Sequence, residues 1–141
     1  MPRLEVRIDM TRREMREYLF CLVFQNEFYS AGEFAEQRDN YLQEKELKEK
    51  ERQEILDKLE ALIQKLPEID EKISAHSRGW KIDRIAKAEL ALLRLAIYEA
   101  LYDDSVPVGV AVNEAVELAK QYCEDNGSAF VNGILGKIVN E

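Results

Sequence analysis

The stretch KIDRIAKAELALLRLAIYEAL, residues 81–101, places apolar side chains all the way round a helical wheel: Ile82, Ile85, Leu90, Leu92, Leu93, Leu95, Ile97 and Leu101 leave no continuous polar face. Such a helix belongs in a core, with partners on several sides. The partners are legible as further helices. Only six Gly and three Pro interrupt 141 residues, helix formers dominate nearly every window, and no segment offers a home for a strand. The expected architecture is all-α with about seven helices. At 46% hydrophobic residues the chain can bury the core of one ordinary domain, or of two very small ones packed together.

Residues 1–10 read as a loose arm. Thr11 followed by Glu14 forms a capping box, so a helix starts at Arg12 and runs to about Phe28. Met15, Leu19, Leu22 and Val23 repeat at helical spacing, with Phe20 and Phe24 as a second apolar stripe. "SAG" at 30–32 is expected to end this helix, and 33–42 to form a short second one. A long helix is predicted over 43–66, charged on all sides at first, with Ile55, Leu59, Leu62, Ile63 and Leu66 as its apolar face later. The charged part is either a solvated face or a coiled-coil surface.

Pro67 breaks that helix, a short one follows with Ile69 and Ile73, and "RGW" at 78–80 marks a turn. After the core helix, Pro107 opens an amphipathic helix with Val112, Ala115, Val116 and Ala119 inside. Asn126–Gly127 stops it, Ser128 caps the next, and the last helix buries Val131, Ile134, Leu135 and Ile138. Gly133 and Gly136 inside it each cost about 1 kcal/mol relative to Ala. They point either to close approach of a backbone or ligand, or to simple helix packing. Composition divides near residue 78, which predicts an N-terminal bundle (1–78) and a C-terminal bundle (79–141) joined as one folding unit.

Chemistry-bearing patterns are scarce. Cys21 and Cys123 have no metal or redox spacing and read as two buried thiols, and the single His76 reads as a solvated turn residue. "GILG" lacks the Lys–Ser/Thr of a phosphate loop, and no nucleophile–base pairing stands out. Neither catalysis nor a cofactor is expected. An N-terminus without an apolar run, and no stretch near the roughly 18 apolar residues of a membrane span, predict a cytoplasmic protein.

Charge is uneven. The total is −8, yet residues 1–16 hold five arginines (3, 7, 12, 13 and 16) against three acids, leaving −10 on the remainder. Arg12, Arg13 and Arg16 crowd a helix start where the dipole already places positive charge, at a cost of about 0.3–1 kcal/mol each. Arg12 and Arg16 lie one turn apart and Arg13 about 100° round, so the three are expected to fan out beside the arm. Guanidinium groups bond phosphates bidentately and stack on unpaired bases, which favours single-stranded RNA; the bland alternative is a solvated basic helix end.

"RREMRE" matches the Arg-Arg-x-x-Arg-Glu start of the NusB family, and "WKIDRIAKAELALLRLAIYEAL", "VPVGVAVNEAVELAKQY" and "FVNGILGK" follow in that family's order and spacing. The chain resembles the NusB family of bacterial transcription antitermination factors over essentially its whole length. The resemblance implies two small helical bundles, no catalysis, and a complex with NusE, a ribosomal small-subunit protein. Together these hold boxA-type single-stranded RNA within an RNA polymerase antitermination complex, notably on ribosomal RNA operons. It carries RNA contact over to Arg12, Arg13 and Arg16, and to Phe130 and Asn132, with Phe130 equally able to be core. For the NusE surface it implies Phe24 and Glu89. Phe24 stands where some members have tyrosine, and Gly136 where the family often has aspartate.

Two rivals stay open. One is a protein–protein adaptor or homodimer that never touches RNA, its arginines paired to a second chain's acids. The other is the RNA-binding part of an RNA cytosine methyltransferase, some of which carry a NusB-like domain. Family members resemble either monomers or dimers.

Overall fold

The computed structural model describes residues 9–77, 79 and 81–141. The arm arginines Arg3 and Arg7, and Trp80 of the expected turn, lie outside the described residues. Among those described, the elements are seven α-helices and one short 3-10 turn: α1 (Arg12–Asn26), α2 (Ala31–Gln43), α3 (Glu49–Gln64), α4 (Leu66–His76), the turn (Ile82–Arg84), α5 (Lys87–Tyr102), α6 (Val108–Tyr122) and α7 (Gly127–Val139). The all-α expectation holds.

α5 is the hub. Leu90 through Ile97 are buried without interruption, and α1, α3, α4, α6 and α7 all pack on it. A single hydrophobic cluster runs from Met15 on α1 through Ile55, Ile69 and Leu92 to Ile138 on α7. This continuity follows from α5 having no polar face to turn to water.

Two ion-pair clamps fix α1 against α5. Arg16, near the start of α1, meets Glu99 near the end of α5, while Glu27, just past the end of α1, meets Arg94 earlier on α5. The two helices are therefore antiparallel. Contacts between α1 and α6 instead rise together along both chains, Arg13 with Glu114 and Phe20 with Tyr122, so these two run the same way.

Several expected boundaries moved, each for a physical reason. Ser30 does not end a helix but opens α2, accepting a hydrogen bond from the Glu33 N–H. The predicted helix over 43–66 begins only at Glu49 and ends at Gln64: Gln43 closes α2, and a turn in which Glu46 takes φ 52° precedes α3. The first part of its charged run has only Leu47 to hold it on the core, so the burial of Leu42 on one side and Ile55 on the other decides where the helix is interrupted. The core helix begins at Lys87, not residue 81, because the chain turns to bury Ile85 and leaves Ile85 and Ala86 extended. On α6 the inner face is Ala111, Ala115, Leu118 and Ala119; Val112 and Val116 are only half-buried.

α7 buries Val131, Ile134, Leu135 and Ile138 as expected, but its cap is Asn126 rather than Ser128. Among the described residues, a Cβ on Gly133 or Gly136 would meet nothing within 4 Å beyond its own stretch of helix, so no close approach of another described element explains them. Gly127 is the tight one, where a Cβ would lie 2.5 Å from that of Cys123. Both cysteines are half-buried, not buried, and free. His76 ends α4 and bonds through Nε2 to Glu141 at 2.7 Å, so it is tethered and not simply a solvated turn residue. The base of the arm is also tied: the Met10 N–H donates to Glu51 at 2.6 Å, and Lys48 pairs with Asp9. No helix among the described residues is long and apolar enough to cross a membrane.

Candidate functional site

The capping box at the start of α1 forms as its spacing requires. The Thr11 hydroxyl accepts from the Glu14 N–H at 3.0 Å and Glu14 returns the bond to the Thr11 N–H, also at 3.0 Å. This sets the first turn in one shape and displays Arg12, Arg13 and Arg16 in three different environments.

Arg12 and Arg13 face solvent, their side chains 76% and 72% exposed. Arg12 donates from Nη1 to both oxygens of Glu54 on α3, at 3.1 and 3.0 Å. Arg13 makes a two-pronged pair with Glu114 on α6, Nε to Oε1 at 3.1 Å and Nη2 to Oε2 at 3.0 Å. That hydrogen bond and the Glu114 charge raise the Arg13 pKa further, which keeps it cationic at every accessible pH.

Arg16 does not join the fan. Its side chain is 8% exposed and turned inward, donating from Nε to Glu99 at 2.8 Å and from Nη1 to Glu114 at 3.5 Å. Glu99, itself 1% exposed, takes Lys58 of α3 on its other oxygen at 2.7 Å, and Lys58 reaches on to Asp103 at 3.1 Å. Burial pushes the Asp103 carboxyl up, yet hydrogen bonds from Ser105 and Lys58, with the Lys58 charge, together hold it below its usual range. The result is a network in which Arg13, Arg16 and Lys58 balance Glu99, Asp103 and Glu114. The sequence expectation of three fanned arginines is thus corrected to two exposed cations standing on a buried, charge-balanced base. A groove of about 480 Å³ beside them is lined by Arg12, Met15, Lys58, Ser105 and Val110 among others.

A second, open groove of about 870 Å³ lies between the start of α5 and the α6–α7 corner. Phe130 and Glu89, assigned from the resemblance to different partners, line it together with Arg84, Tyr122 and Glu124. Burial, and then the neighbouring Glu124 charge, push the Glu89 carboxyl up. Phe130 is half-buried against the core while Asn132 is exposed on α7. Phe24 sits outside the groove but joins it through a row of rings: Phe28 to Phe24 at 5.1 Å, Phe24 to Phe20 at 6.5 Å, and Phe20 to Tyr122 at 5.0 Å between centroids. Phe28 is 55% exposed, leaving an aromatic surface open to solvent beyond its contact with Phe24. The arginines meet α6 at Glu114, near its middle, while this groove meets its end at Tyr122, about 12 Å further along the axis.

Sequence reasoning missed Glu99, Lys58 and Glu114, because partners 41 to 101 positions away leave no local trace. One signal was present: Glu114 interrupts the border of the apolar face of α6, between Ala111 and Ala115.

The family model for NusB matches residues 13–140. The chain belongs to the NusB family. Among NusB relatives, the transcription antitermination protein NusB of Lachnoclostridium phytofermentans is 46% identical over 132 residues, covering 93% of this chain and all of that one. Among solved structures, that of T. maritima NusB is similar at a TM-score of 0.81 and 31% identity, covering 95% of this chain and 94% of that one. The crystal structure of the antitermination factors NusB and NusE in complex with dsRNA is similar at a TM-score of 0.78 and 25% identity, covering 92% and 96%.

Proposed function

We propose that this chain is a transcription antitermination factor that binds RNA together with NusE, as a NusB protein does in the solved complex it resembles. The preferred ligand is boxA-type single-stranded RNA, held within the RNA polymerase antitermination complex in the cytoplasm and supporting ribosomal RNA transcription. The protein works by binding, without catalysis. Membership of the family along nearly the whole chain is the observation that carries this reading.

The residue roles are part of the proposal. Arg12 and Arg13 are the exposed cations whose forks suit phosphate oxygens, and they stand at a helix start where an anion is favoured by the dipole. Arg16 holds the base on which they stand. Phe130 and Asn132 extend the RNA surface, where an exposed amide and a ring edge can meet unpaired bases. Phe24, continued by Phe28, and Glu89 face NusE, a ribosomal protein whose basic character suits the acidic remainder of this surface.

The test is a gel shift with a boxA strand and a scrambled strand, with and without NusE, at two salt concentrations. Arg12→Ala and Arg13→Ala should each weaken boxA binding, and affinity should fall as salt rises. A sized complex with NusE, or a homodimer, that forms normally yet ignores RNA would instead favour the adaptor reading.

A further inference from the structure

The Arg13 fork is already occupied. Both of its outward donors, Nε and Nη2, are satisfied by the two Glu114 oxygens at 3.1 and 3.0 Å, the same bidentate geometry in which arginine takes a phosphate. The two partners differ in freedom. The Glu114 side chain is only 13% exposed and is held from behind by buried Arg16, whereas Arg13 is 72% exposed. When the pair opens, Arg13 swings out and Glu114 stays, still beside the Arg16 guanidinium. Glu54 offers Arg12 a weaker version: it is 43% exposed and engages a single nitrogen, Nη1.

We propose that Glu114 is a specificity-determining residue, an internal stand-in for phosphate that Arg13 must exchange for the RNA backbone, so that only a strand making further contacts displaces it. This rests on the proposed RNA-binding function. Exchanging a carboxylate for a phosphodiester gains little by itself, since charge and fork geometry match. A generic anionic strand therefore recruits Arg12 and leaves the Arg13–Glu114 pair closed. A strand also held by base contacts and by the protein partner opens it. The device subtracts affinity from every ligand and discriminates by what remains.

The experiment compares wild type, Glu114→Gln and Glu117→Gln. Glu117 is the control: it lies one turn on, its charge also acts on Arg13, but its carboxylate bonds Lys120 and not the fork. Glu114→Gln should bind a scrambled single strand about threefold tighter than wild type, the scale of an exposed ion pair. It should gain less on boxA, lowering the ratio between the two, and steepen the salt dependence by about 0.7 in log–log slope. Glu117→Gln should resemble wild type on all three. Unchanged or weaker binding by folded Glu114→Gln, or equal effects in both variants, overturns the proposal. Should Glu114→Gln fail to fold, Glu114→Asp keeps the charge but is too short for both prongs, and a gain is again expected and its absence decisive. A parallel titration with inorganic pyrophosphate, followed at the Arg13 Nε–H resonance, needs no RNA. Greater response in Glu114→Gln upholds the exchange even if no variant binds RNA, an outcome that would sink the functional reading alone; equal response overturns the exchange.

Discussion

Arg16 on α1 donates to Glu99 on α5 at 2.8 Å, with both side chains almost wholly withdrawn from water. An arginine in a motif associated with RNA thus has a structural assignment of its own. Truncating one partner of a buried pair strands the other charge, so Arg16→Ala should destabilise the protein by about 3–5 kcal/mol. Replacing both by apolar residues of similar volume should cost much less. Urea denaturation measures this. An Arg16→Ala protein as stable as wild type, but defective for RNA, would mean that Arg16 contacts the strand directly.

The glycines of α7 should separate cleanly. Gly127→Ala drives a methyl group to 2.5 Å from Cys123 Cβ, and overpacking of this kind costs about 1–3 kcal/mol. Gly133→Ala and Gly136→Ala meet open space within a helix and should each stabilise by about 0.5–1 kcal/mol. Thermal melting checks both. If Gly133→Ala stabilises the free protein but weakens RNA or NusE binding, the missing Cβ serves a neighbour outside the chain.

Two half-buried carboxylates should respond to pH with opposite signs. Burial, reinforced by Glu124, raises Glu89, so its ionised form is disfavoured in the folded state. That penalty is absent below the unfolded pKa, grows as pH rises towards the folded one and is complete above it. Glu89→Gln should therefore raise Tm at neutral pH, with the gain vanishing near about pH 3.5. Glu27 behaves in reverse. Burial pushes it up, but hydrogen bonds and charge from Arg94 and Lys87 outweigh that and lower it. Its stabilisation is present above the unfolded value and lost as pH falls through the folded one, so Glu27→Gln should lower Tm at neutral pH and converge on wild type in acid.

Phe24 and the exposed Phe28 form the outer end of the ring row. Aromatic side chains of this kind dominate binding surfaces, so Phe24→Ala or Phe28→Ala should weaken the NusE complex by about 2 kcal/mol or more. Phe28→Ala should leave folding almost untouched, because its ring is already largely solvated. Calorimetric titration with NusE distinguishes this from a purely structural role, in which folding and binding losses would track each other.

The fold was legible where apolar spacing is strong. The apolar residues spread round the wheel of 81–101 predicted the hub, and Thr11 with Glu14 predicted the start of α1 to the residue. Boundaries failed where tertiary contacts overrode local preference: the reversal at 44–48 lies in a run of good helix formers, and Ile85 leaves the helical path to reach the core. At the site, sequence spacing placed the arginines on α1 but could not say which would find an acid. Glu114 is 101 positions from Arg13 and Glu99 is 83 from Arg16, and such pairs exist only once α1, α5 and α6 are packed. The dipole cost of cations at this helix start is offset by carboxylates that come from elsewhere in the chain.

Glu99 is buried on the hub helix α5, and through Arg16 it anchors the turn from which Arg12 and Arg13 project. The edge proposed to contact RNA is thereby mounted on the part of the molecule expected to open last. On the proposed function, a strand landing there meets cations already set in position by the core, and little orientational freedom is left for capture to remove.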